Sequence, residues 1–329
     1  MRRREFITVL GGAMAVWPVV AWAANDLATY PTKPIRVIVP FAPGGASDLA
    51  IRLLQPGLAQ ELGQQIVIEN RPGAAGNIGM ELASRAEPDG YTLFLGNVGT
   101  VSINPHFFPD LKVVPDRDFI PISLTAETPG ILVASSKFPP NSVKEMIAYV
   151  KARPSKINYA SAGISTLNTL EMEVFRRAAG LNMTQVPYKG GAGPAIVDLL
   201  GGHVDVMFVT ISSAAEHVKS GALKAFAVTT RHRVTSLPEV PTMLELGYPE
   251  AVSSSWQGLF APAGTPQPII AKLHAALVHA MADPNVRERM FREGMLPTSS
   301  ESPEEFKAFL ATESAKWKRV VKDIGAKAE

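Results

Sequence analysis

Short apolar runs alternate along this chain with stretches whose apolar positions recur at helical spacing. Ile35 to Val39 is a nearly continuous apolar run, the pattern of a strand buried on both faces. A helical pattern follows from Ser47, with Leu49, Leu53, Leu54 and Leu58 on one side. Pro56-Gly57 lies within it and predicts a kink or an early end. Strands are then predicted at 66–69 and 91–97, with a helix reaching about Ala86 between them. A second series begins past residue 130, with strands at 131–136 and 223–230 and strand–loop–helix units at 157–180, 184–202 and 204–221. The tail from Pro266 is helical, and Ser302-Pro303-Glu304-Glu305 is a helix start with a cap, a first-position proline and early acids. The alternation predicts an α/β fold with parallel sheets. A length of 329 residues suits two such domains better than one.

The first 23 residues stand apart. A basic start, an apolar middle and Ala21-Trp22-Ala23 form a signal peptide pattern with cleavage after Ala23. Arg3-Arg4-Glu5-Phe6-Ile7 resembles the twin-arginine export signal. A membrane anchor is the competing reading, against which stand the glycines and Pro18 in the apolar run. Cleavage would take three of the 32 basic residues and one of the 30 acidic ones, leaving 29 of each. The mature chain is then neutral, and nothing in its charge calls for nucleic acid or an anionic membrane surface. Cysteine is absent, which excludes disulfides, thiolate metal sites and a Cys nucleophile.

Small residues gather where predicted strands run into helices: Gly44-Gly45, Gly73 to Gly76, Gly99-Thr100, Ser161 to Thr166 and Gly190 to Gly193. In a parallel sheet, ligands bind at the carboxyl ends of the strands. Glycine there lets backbone approach a ligand, and the free N–H groups of the helix start point at it. Each helix start favours an anion by about 0.3–1 kcal/mol, and each hydrogen bond to a charged group adds roughly 1.5–3 kcal/mol. Three or four of these reach the ~8 kcal/mol of micromolar affinity without Arg or Lys. Any one loop read alone is most simply a tight turn; it is the recurrence at five places that points to a ligand.

Catalytic patterns are missing. G-x-S-x-G, H-E-x-x-H and the phosphate-cradling G-x-x-x-x-G-K-[ST] do not occur, and no two of the six histidines are spaced i, i+4. No metal or cofactor is expected. Asp48 is either a general base near the first loop or a partner of the helix start. Trp256 stands where the chain returns between domains and reads as cleft lining or as packing, whereas Trp317 reads as packing.

The segments "YPTKPIRVIVPFAPGGASD", "VIENRPGAAGNIG", "EPDGYTLFLGN", "NYASAG", "VPYKGGAGPAIVDLLGGHVDVMF", "LPEVPTMLELG" and "WQGLFAPAGTP" occur in this order from Tyr30 onward. Together they resemble the Bug-type extracytoplasmic solute receptors of the tripartite tricarboxylate transporter family. The resemblance implies a periplasmic binding protein-like fold, two α/β domains with a ligand cleft between them. It implies a discontinuous first domain, 30–128 with 253–329, and a second domain at 129–252. It implies a monomeric, non-catalytic periplasmic receptor that delivers a small carboxylate to a two-component membrane permease. Reporting to a sensor kinase would need the same ligand site, and hydrolysis would need chemistry that the sequence does not display.

Carried over by position, Phe41, Ala42, Pro43, Gly44 and Gly45, with Ser47 behind them, match the loop that holds a ligand carboxylate. Asn97, Gly99 and Thr100 match a second donor loop. Ala160, Ser161, Gly163, Ser165 and Thr166 match a third. Val209, Thr210 and Trp256 complete the expected site. Relatives often place an acid at the Val209 position, and Asn-Gly-Ser-Ser where Ile164-Ser165-Thr166-Leu167 stand. These departures predict a less polar far wall with no partner for an ammonium group.

Overall fold

The computed structural model describes residues 29–163, 166–188 and 192–325. The signal pattern lies outside the described residues. So do Ile164, Ser165 and residues 189–191.

Ile35–Val39 forms strand β1, covered on both faces as its composition requires. Helix α1 (Ala46–Leu62) leads to β2 (Ile66–Asn70), and α2 (Asn77–Ser84) leads to β3 (Thr92–Asn97). Both β2 and β3 pair with β1 in parallel. Leu53, Leu54 and Leu58 of α1 are buried as the periodicity predicts. The helix is not cut at Pro56-Gly57 but continues to Leu62. Proline removes a single N–H, and the following glycine lets α1 press against the helix at Ala280. A Cβ at Gly57 would come within 2.9 Å of the Ala280 Cβ.

After β3 come a π-helical turn at Val98–Ile103 and the short helices α3 (Asn104–Phe107) and α4 (Pro115–Asp118). Strand β4 (Phe119–Ser135) then runs for 17 residues. The sequence pattern shows only its last part as a strand, at 131–136. The second series follows: α5 (Val143–Lys151), β5 (Asn158–Ser161), α6 (Leu167–Ala178), β6 (Thr184–Pro187), α7 (Ala192–Gly201), β7 (Val206–Thr210), α8 (Ile211–Lys219) and β8 (Leu223–Val228). The chain returns through β9 (Ser254–Pro262), α9 (Gln267–Ala282), α10 (Pro284–Arg292), β10 (Leu296–Pro297) and α11 (Pro303–Ile324).

Two α/β domains result, and the expectation of purely parallel sheets is corrected. The β1–β3 and β5–β7 groups are parallel. Strands β4, β8, β9 and β10 pair antiparallel. Strand β4 belongs to both sheets: Phe119 to Pro129 pair with β9, and from Gly130 onward its partners are β7 and β8. Apolar clusters cover both faces of each sheet. One of them joins Trp256, Phe306 and Trp317 to Leu170 of α6, so the second series packs directly on the first.

Candidate functional site

The chain leaves β1 through Pro40 and Phe41 and enters α1 at Ala46. Asn70, at the end of the neighbouring β2, holds this loop by donating to the Phe41 carbonyl at 2.9 Å and to Asp48 Oδ1 at 2.9 Å. The other Asp48 oxygen accepts from the Gly44 N–H at 2.8 Å and from Arg52 Nε at 2.8 Å. Burial works to raise the Asp48 pKa, but the bonds from Arg52, Gly44 and Asn70 outweigh it and hold the carboxyl below its usual range. Asp48 is a charged loop anchor with both oxygens engaged, not a free general base. The segment Ala42 to Gly45 stays exposed. Gly44 sits at φ +85°, whereas Gly45 is extended and opens α1 with no side-chain cap. The first N–H groups of the helix are therefore left for another partner.

The end of β3 lies beside this loop. Asn97 Nδ2 is 3.4 Å from Ser47 Oγ. Asn97 also starts the π-helical turn, its side chain accepting from the Thr100 N–H while Thr100 Oγ1 accepts from the Asn97 N–H. Gly99 lies inside that turn, which the sequence shows only as a loop. Gly76 closes the patch from below. A Cβ there would stand 2.6 Å from Thr100 Cγ2 and 3.1 Å from the Phe41 ring. Phe41, Ser47, Asn97 and Thr100 are thus brought together.

In the second domain, Ser161 ends β5. Its Oγ is 2.8 Å from Thr169 Oγ1 and accepts from the Gly163 N–H at 3.3 Å. Thr166 Oγ1 donates to the Gly163 carbonyl at 2.8 Å and lies 3.0 Å from Thr169 Oγ1. Thr166 opens α6 and Thr210 opens α8, neither with a side-chain cap. Thr210 Oγ1 is 2.9 Å from Ser213 Oγ. Helices α2 and α9 also begin without a side-chain cap, whereas Ser142, Asp283 and Ser302 cap α5, α10 and α11. The starts of α1, α6 and α8 keep unspent donors beside serine and threonine hydroxyls.

Strand register aligns these ends. Asn97 pairs with Gln257, Gln257 pairs with Ala126, and farther along β4 Gly130 pairs with Thr210. The ends of β3 and β7 therefore flank the point where β4 passes from one sheet to the other.

Three expectations are corrected. Trp256 does not line a cleft: it is 0% exposed, meets Phe306 and Phe309 edge-on, and donates its Nε1–H to Glu313 at 3.0 Å. Val209 is 1% exposed and packs in the core with Ile131 and Ala195, because β7 is covered on both faces and alternation only decides which covered face it joins. Leu167 packs toward the Trp256 cluster. The apolar far wall therefore loses Val209, while Leu167 is half-buried and Ile164 is outside the described residues. Ala160 likewise turns its methyl group into the core. Asn70 and Ser212 escaped the sequence reading. Asn70 follows a strand like many surface residues, and Ser212 gains interest only because Gly294 of the first domain packs against it.

A family model described as the tripartite tricarboxylate transporter family receptor matches residues 50–326. Protein BugT of Bordetella pertussis is 36% identical over 328 residues, covering 99% of both chains. MatC from Rhodopseudomonas palustris, solved with bound malate, is 37% identical and covers 89% of this chain and 100% of its own, with a TM-score of 0.74. An R. palustris protein solved with adipate is 30% identical, with a TM-score of 0.78 over 91% of this chain and 100% of its own. By the family-model match over most of its length and by these relatives, the chain belongs to the tripartite tricarboxylate transporter receptor family, as a Bug-type member.

Proposed function

We propose that the protein is a periplasmic receptor that captures a small carboxylate between its two domains and delivers it to a two-component membrane permease. The domains are taken as 30–128 with 253–329, and 129–252. The observation that carries the reading is that α1, α6 and α8 begin without side-chain caps at strand ends flanking the β4 crossing. Helix starts of this kind favour an anion electrostatically and by hydrogen bonding. Malate and adipate in related structures agree with that chemistry.

The preferred ligand carries no ammonium group. Among the described residues of the 41–47, 97–102, 161–170 and 210–213 segments there is no acid. Asp48 and Glu171, which adjoin them, already have both oxygens bonded. A desolvated ammonium would lack a partner, at a cost of several kcal/mol.

Protein recovered from a periplasmic extract is expected to begin at or near Ala24 and to bind dicarboxylates such as malate or adipate more tightly than aspartate or glutamate in calorimetry. Gly45→Val should remain folded, since a Cβ at Gly45 meets nothing closer than 3.7 Å, yet lose binding as the larger side chain covers the α1 start. Amino acids as the tightest class, or normal binding by the folded variant, would sink the assignment.

A further inference from the structure

The chain crosses between the domains along β4 and again just before β9, and the two crossings are tied together by short bonds. The Gly130 N–H donates to Thr229 Oγ1 at 3.0 Å, and the Thr229 N–H donates to the Gly130 carbonyl at 2.9 Å. Thr229 Oγ1 donates to the Ser253 carbonyl at 2.8 Å, and the Ser253 N–H donates to the Thr229 carbonyl at 2.9 Å. Gly130, Thr229 and Ser253 thus form one knot between segments far apart in sequence.

A carboxyl group is buried against this knot. Glu171, on the second turn of α6, is 1% exposed. Its Oε1 accepts from Ser253 Oγ at 2.5 Å and its Oε2 from Asn168 Nδ2 at 2.9 Å. Gly130 has to be glycine here: a Cβ would fall 2.9 Å from Glu171 Oε1 and 2.9 Å from Thr229 Oγ1. From the other domain, Lys316 of α11 donates to the Val252 carbonyl, next to Ser253. A buried carboxyl adds little to stability compared with an apolar side chain of the same size. Its return is specificity of geometry, and here that geometry is the crossing.

We propose that Glu171 is the pin of the interdomain hinge, a positioning residue that fixes both crossings against α6 and thereby sets how the helix starts of the two domains face each other. The inference rests on the two-domain receptor reading, but its test needs no ligand. Amide hydrogen exchange is measured on the ligand-free mature protein, on Glu171→Ala and on Glu171→Gln. In the alanine variant, exchange at Gly130, Thr229 and Ser253 is expected to quicken by about tenfold or more, as local opening of the crossing becomes easier. Amides of Val37, Leu93 and Met207, deep in the two sheets, should keep wild-type rates. The glutamine variant, of the same shape and able to accept from Ser253, should restore slow exchange at all three crossing amides. The pin is refuted if the alanine variant exchanges like wild type there, if it quickens sheet and crossing amides alike, or if glutamine fails to rescue. Failure to bind any carboxylate would refute the receptor reading and leave these exchange results standing.

Discussion

Asp48 is, at the scale of one residue, the anchor of the first loop. Its carboxylate anchors the first loop through the Gly44 N–H and is neutralised by Arg52, so its charge does not oppose the anion proposed for this helix start. Removing a charged partner from buried hydrogen bonds costs roughly 1–3 kcal/mol, so Asp48→Asn should lower stability by that amount at neutral pH. The folded pKa is depressed relative to the unfolded chain. Its stabilisation is therefore complete above about pH 4 and is lost as pH falls through the lower folded value. Urea unfolding of both proteins should show the gap closing below about pH 4. A gap that persists unchanged at lower pH would show that the carboxylate charge is not its source.

At the scale of elements, α1 sets propensity against packing. Gly57 is a poor helix residue, and alanine is favoured over glycine by about 1 kcal/mol in a helix interior. The close approach to α9 decides the opposite way, because a Cβ would stand 2.9 Å from the Ala280 Cβ and 3.3 Å from its Cα. Overpacking of this kind typically costs 1–3 kcal/mol, so Gly57→Ala is expected to destabilise the protein by up to about 2 kcal/mol. Its urea midpoint should fall; a midpoint above wild type would mean that the two helices separate freely. The contrast between capped and uncapped helices follows the same logic. Ser142, Asp283 and Ser302 serve stability, and at α1, α6 and α8 the missing caps leave the donors that the proposed site uses.

At the scale of the whole molecule, two domains share one long strand and one return crossing. A ligand held by helix starts from both domains favours the arrangement in which both reach it, by the difference in contacts between open and closed forms. Small-angle scattering of the mature protein should show a smaller radius of gyration with saturating malate or adipate than without. An unchanged radius under saturation, verified by calorimetry, would show that the domains do not close on this ligand.

The local part of this architecture is legible in the amino-acid order. Apolar runs, helical periodicity and small residues at strand ends mark β1, β3, α1 and the loops proposed to hold an anion, because each depends on neighbours within a few positions. The sequence also carries the absence of motif-placed acid, base or thiol chemistry, and the resemblance that names the family. Other features rest on partners far along the chain. The pattern starts a strand only at residue 131, yet β4 runs unbroken through Pro129-Gly130 because β9 pairs up to Pro129 and β7 pairs from Gly130. Trp256 and Val209 read as site residues, yet the packing of α11 and β4 buries them. Glu171 and Ser253 are 82 positions apart, and Gly130 and Thr229 are 99. Only tertiary packing brings such groups to one point, since burial and strand pairing depend on which surfaces meet in space and not on spacing along the chain.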